Sequence, residues 1–193
     1  MNTTSVVLAG VGGQGILLAS ELVAKAAMLS GFDVKTNEVH GMAQRGGSVL
    51  AQIRFGEKVH SPLVALGQAD VFGALEAIEG LRYANYLKQG GLAVCSTQRI
   101  IPVTVSSRSA VYPDDVEARL AAVFPRLVLV DAAELALELG DLRVANLAVM
   151  GALSQGLDLL QEAWQEAIRS SLKASFLEMN LKAFELGRQA VKG

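Results

Sequence analysis

Gly10-Val11-Gly12-Gly13-Gln14-Gly15 stands between two segments of opposite periodicity. Before it runs Ser5-Val6-Val7-Leu8-Ala9, an apolar stretch that reads as a buried strand, and after it residues 16–27 carry the apolar spacing of a helix. Strand, glycine turn, helix is the context that gives a G-x-G-x-x-G match physical meaning. Gly10 supplies a tight turn, Gly12 lets a ligand approach the backbone, and Gly15 lets the helix pack closely on the strand. Gln14 and Ile16 then lie at the helix start, where unpaired N–H groups and the helix dipole favour an anionic group. Gly10, Gly12, Gly13, Gln14 and Gly15 are therefore the candidate cofactor-binding residues, and a phosphate, a pyrophosphate or a neighbouring carboxylate suits the place. The same turn also folds a parallel strand back under its helix with no ligand at all. A dinucleotide would further need an acid at the end of the second strand. That strand, residues 33–37, ends at Glu38, late for a ribose contact, so the turn is expected to hold no dinucleotide.

The 193 residues suffice for one α/β domain with a real core. With 51% hydrophobic and 19% charged residues, the chain either buries both faces of a sheet or covers surface against a partner. Apolar runs such as Leu127-Val128-Leu129-Val130 fall far short of a membrane span. The N-terminal residues lack the basic region of a signal peptide, and a net charge of −2 gives no footprint for nucleic acid. One cysteine, Cys95, excludes an intrachain disulfide and a four-cysteine cluster, and fits a reducing cytoplasm. Two histidines, His40 and His60, argue against a metal site.

Beyond the first helix, residues 32–37 form a second strand parallel to the first, since a helix makes the crossover. Next comes Glu38-Val39-His40-Gly41-Met42-Ala43-Gln44-Arg45-Gly46-Gly47-Ser48, too rich in glycine and polar groups for core. It reads as a loop at the carboxyl end of a strand, the edge where open α/β sheets bind ligands. His40, Gly41, Gln44, Arg45, Gly46 and Gly47 are the candidate substrate or partner loop. Arg45, between glycines, can reach a carboxylate or phosphate and hold it through two parallel hydrogen bonds, or simply be a solvated arginine beside a turn. Residues 48–55 turn at Gly56-Glu57 into residues 58–62, which predicts a β-hairpin added antiparallel to the sheet.

A buried strand over residues 68–75, a helix over 76–87, a turn at Gly90-Gly91 and a core strand over 92–96 follow. Residues 99–109, with Pro102, predict an edge strand or extended connection. A helix over 114–123, a last core strand over 126–131 and a short helix closed by Gly140 come next. From about residue 141 to 193 all is helix and forms a cap on the same single domain. Residues 143–153 are apolar nearly all round and should be buried or in an interface, and Asp158-Leu159-Leu160-Gln161 resembles a capping box. The expected architecture is a mostly parallel, Rossmann-like α/β sheet flanked by helices, with a β-hairpin insertion and a helical C-terminal cap.

Two glycine-rich segments in this order, together with Glu138-Leu139-Gly140-Asp141-Leu142-Arg143-Val144-Ala145-Asn146-Leu147-Ala148-Val149-Met150-Gly151-Ala152-Leu153, resemble the small subunits of the thiamine-diphosphate-dependent 2-oxoacid:ferredoxin oxidoreductases. The Met-Ala-Gln-Arg-Gly-Gly form of the loop is most similar to the indolepyruvate branch. The resemblance implies a chain that is inactive alone, with no catalytic residue and no resident cofactor. It would complete a cytoplasmic enzyme that oxidatively decarboxylates an arylpyruvate, with coenzyme A as acyl acceptor and ferredoxin as electron acceptor. Thiamine diphosphate, magnesium and the iron–sulfur clusters are then expected in the large partner subunit. Two other roles remain compatible with the residues: a stand-alone nucleotide- or coenzyme-binding module, and a homodimeric accessory protein whose apolar C-terminal helices pair with themselves.

Overall fold

The computed structural model describes residues 3–40, 46–100 and 111–191. Six strands form one sheet: β1 (Thr3–Val11), β2 (Asp33–His40), β3 (Ser48–Gly56), β4 (Ala69–Ala74), β5 (Leu87–Ser96) and β6 (Leu127–Val130), in the spatial order β2-β3-β1-β4-β5-β6. β1, β4, β5 and β6 are parallel neighbours, whereas β3 lies antiparallel between β1 and β2. The mostly parallel α/β architecture expected from the sequence is the one observed.

Seven α-helices are described: α1 (Ile16–Leu29), α2 (Ala77–Arg82), α3 (Val116–Val123), α4 (Ala132–Glu138), α5 (Ala145–Ser154), α6 (Gln161–Ser171) and α7 (Ala174–Ala190). Alternation along β1 sends Val6 and Leu8 into a core shared with α1 and α5–α7, and Val7 and Ala9 into a second core under α2 and α3. Both faces of the sheet are thus covered, which accounts for the near-continuous apolar runs of its strands. Every residue of α5 is buried, as its all-round apolar sequence requires.

Five local expectations are corrected. Residues 58–62 do not pair with β3, because both edges of β3 are already taken by β1 and β2. That stretch is instead held by side chains: Val59 N donates to Asp33 Oδ2 at 2.9 Å and Val64 N to Gln52 Oε1 at 2.6 Å. Gly90-Gly91 is no turn between elements but an irregularity inside β5, where the pairing with β4 shifts register and Gly90 takes φ +76°. The helix expected over 76–87 ends at Arg82 and passes through a 3-10 turn (Ala84–Tyr86) into β5. Asp158 caps nothing in α6, whose N-cap is Leu160, and β6 is an edge strand with Leu129 exposed rather than a core strand. The connection expected over residues 99–109 falls largely outside the described residues.

Candidate functional site

β1 and β4 are parallel neighbours whose following helices cover opposite faces of the sheet, α1 on one and α2 on the other. Such a parting of connections leaves a crevice beyond the carboxyl ends of the strands. Here it opens into a cleft of about 360 Å³ walled by the glycine turn, Leu75, the stretch from Ser96 to Ile100, Arg143 and Asn146.

Gln14 fixes the turn from within. Its Oε1 accepts from Val11 N at 2.9 Å, and its Nε2 donates to Leu75 O at 2.7 Å and to Gln98 Oε1 at 2.9 Å. One side chain therefore joins the ends of β1, β4 and β5. Gly15, at φ +82°, is the N-cap of α1, and a Cβ there would meet Asn146 Nδ2 at 2.5 Å. Both the left-handed backbone and the close approach of Asn146 demand glycine. Gly10 sits inside β1, where a Cβ would press on Ile16 and Gln14, while Gly12 and Gly13 line the cleft.

The second glycine segment meets the first. Gly12 N donates to Gly47 O at 2.8 Å and Gly46 N to Gly12 O at 3.3 Å, so Gly46 reaches the cleft wall. Ser48, which follows, donates to the Glu79 carboxylate and lies 2.9 Å from the Tyr83 hydroxyl. His40 ends β2 and lines a neighbouring apolar cleft of about 410 Å³ with Ile16, Leu17 and Val49. The two clefts share Val11, Gly12, Gly13 and Gly15 as a common wall. Gly41, Gln44 and Arg45 lie outside the described residues. Glu38 is carried by β2, which β3 separates from β1, one strand beyond the position beside β1 where a ribose-binding acid would stand.

Four groups at the site were not among the candidate site residues, although Arg143 and Asn146 stand in the third segment that carries the family resemblance. Gln98 and Asn146 present side-chain amides to the cleft. Asn146 had one signal in the sequence, a polar side chain inside an otherwise apolar helix, and Gln98 had none. Arg143 lines the rim, bonded to both oxygens of Asp141 and stacked 4.8 Å from the centre of the Phe176 ring. That guanidinium, aided by the Arg143 backbone N–H, holds the Asp141 carboxyl at about 2, well below the usual range. Glu76, buried at the start of α2, supports the far wall: its Oε1 accepts from Ile100 N at 3.1 Å and Tyr112 Oη at 2.7 Å, and its Oε2 from Glu79 N at 2.9 Å. Burial first, and then this carboxylate, raises the Tyr112 hydroxyl well above its ordinary value.

Comparison with known proteins agrees with the fold. Residues 5–190 match the family model described as pyruvate ferredoxin/flavodoxin oxidoreductase. Over 197 aligned positions the chain is 44% identical to the indolepyruvate oxidoreductase subunit IorB of Thermococcus kodakarensis, covering 100% of this chain and 98% of that one. It is 29% identical to the pyruvate/ketoisovalerate oxidoreductases common subunit gamma of the same organism, over 91% of this chain and 90% of the relative. The gamma subunit of a keto/oxoacid ferredoxin oxidoreductase from Geobacter sulfurreducens shares the fold, with a TM-score of 0.70 at 23% identity and 98% of both chains covered. The relatives of matching length are oxidoreductase subunits, and the chain belongs to the pyruvate ferredoxin/flavodoxin oxidoreductase family.

Proposed function

We propose that this chain is the small subunit of a cytoplasmic indolepyruvate-type 2-oxoacid:ferredoxin oxidoreductase and works only with a larger subunit. The full-length identity of 44% to a subunit of that name is the observation that carries this reading. The larger subunit is assigned thiamine diphosphate with magnesium, which supplies an electron sink for decarboxylation, and the iron–sulfur clusters that pass electrons to ferredoxin. Cys95 supports the assignment of the clusters: it lies inside the sheet, where burial pushes its thiol up to about 12, the opposite of a thiolate ligand.

Substrate choice is assigned to the larger subunit as well. A related gamma subunit is named as common to pyruvate and ketoisovalerate oxidoreductases, so a chain of this kind need not discriminate between 2-oxoacids. The loop bearing Gly41, Gln44 and Arg45 contributes instead a contact to the partner, to the substrate carboxylate or to the phosphates of coenzyme A. The pairing of Gly12 with Gly46 and Gly47 supports this, since it sets the root of that loop at the carboxyl edge of the sheet.

The test is arylpyruvate-dependent reduction of a viologen dye, without oxygen and with coenzyme A, by this chain, by the large subunit and by the two mixed. Activity in the mixture alone is expected, with Arg45→Ala raising an apparent KM or weakening assembly. An active large subunit that gains nothing on mixing would overturn the reading.

A further inference from the structure

We propose that the cleft between β1 and β4 is an oxyanion site built from the side-chain amides of Asn146 and Gln98 and from the N-terminus of α1. Asn146 is 8% exposed, and its Oδ1 accepts from Leu147 N at 2.9 Å. Nδ2 lies against Gly15, a residue of the cleft wall, and donates to no acceptor among the described residues. In Gln98, which also lines the cleft, the oxygen likewise accepts, from Gln14 Nε2 at 2.9 Å, and its Nε2 donates to no acceptor among the described residues. In both amides a donor of the chain occupies one of the oxygen's two lone pairs, while the two N–H donors have no partner among the described residues, so donors predominate.

A third source of donors points the same way. The left-handed Gly15 starts α1 at the cleft wall, and the N–H groups that open the helix have no acceptor within it. α5 also reaches this wall, at Ala145 and Asn146, but the Ala145 N–H already donates to Leu142 O, so the free helix N-terminus at the cavity is that of α1. Among the described residues no carboxylate lines it, and the nearby Asp141 is bonded through both oxygens to Arg143. With Arg143 largely offset by that pairing, attraction comes from fixed neutral dipoles in a confined space, as in backbone anion nests.

The ligand chemistry is a compact oxyanion, which has two sources: a phosphoryl group of a soluble ligand, or a carboxylate offered by the larger subunit. The site is a property of this chain and does not depend on the reaction proposed above. The experiment is titration of the full chain, labelled with nitrogen-15, at constant ionic strength with inorganic pyrophosphate and, separately, with acetate. Saturable shifts are expected in the Asn146 and Gln98 side-chain NH2 resonances and in the Gly15 amide. Saturation by pyrophosphate with acetate inert assigns the phosphoryl source, and saturation by acetate at similar concentration assigns the carboxylate. Asn146→Asp keeps the acceptor for Leu147 N and replaces the donor with a charge, so it should weaken binding at least about tenfold. Should that variant fail to fold, Gln98→Glu makes the same test. If neither anion moves these resonances, or a folded variant binds as tightly as the parent, the proposal is wrong.

Discussion

With one oxygen on Val11 N and one nitrogen shared between Leu75 O and Gln98 Oε1, the Gln14 side chain does what a strand ladder can no longer do where three strands end. Val11 is buried, so removal of its acceptor leaves an N–H that water reaches poorly. Gln14→Ala is therefore expected to cost about 2 kcal/mol, read as a lower midpoint in urea with an unchanged slope. An unaltered midpoint would show that the three bonds contribute nothing net. The candidate residues divide by how local their cause is. Gly12, Gly13, Gln14 and Gly15 were legible because a strand, a turn and a helix adjacent in sequence dictate them. Gln98 and Asn146 were not, since they reach the same cleft from 84 and 131 positions beyond Gly15 or its neighbour Gln14, and pairing at such separation leaves no local pattern.

At the level of elements, α5 and α7 cross at two glycines that face each other's backbone. A Cβ on Gly151 would overlap the carbonyl of Phe184, and one on Gly187 the carbonyl of Ala148. Replacing a mid-helix glycine by alanine ordinarily stabilises by up to about 1 kcal/mol. Here the sign reverses, because the two helices must separate to admit the methyl group. Gly187→Ala is expected to lose about 3 kcal/mol, the upper end of overpacking, measured by thermal or chemical unfolding. Stability equal to or above the parent would refute the close crossing. The apolar composition of residues 143–153 announced a buried helix, but nothing in it named α7 as the partner. The strands followed the same division: β1, β4 and β5 were plain from apolar runs buried on both faces, while the neighbours of β3 were misjudged. Sequence proximity favoured residues 58–62 as its partner, yet β1 and β2 occupy both of its edges.

Across the whole molecule, each residue of β3 faces two strands that precede it in the chain: Gly56 lies opposite both Thr3 and Asp33, and Val49 opposite both Gly10 and His40. The strand that closes this half of the sheet is thus the last of the three to be made. During vectorial synthesis, when the amino-terminal end emerges first, β1 and β2 leave the ribosome with no strand between them, and the valine-rich Val6-Val7-Leu8 has no partner on that side. A ribosome-bound chain stalled with Gly56 still inside the exit tunnel should be cut readily by protease within β1, and one extended past β4 should resist. Equal resistance at both lengths would mean that α1 alone shelters the first strand. The antiparallel insertion that brings both glycine segments to one edge therefore also imposes a waiting time on the nascent chain, during which its most aggregation-prone segment depends on the ribosome or a chaperone for cover.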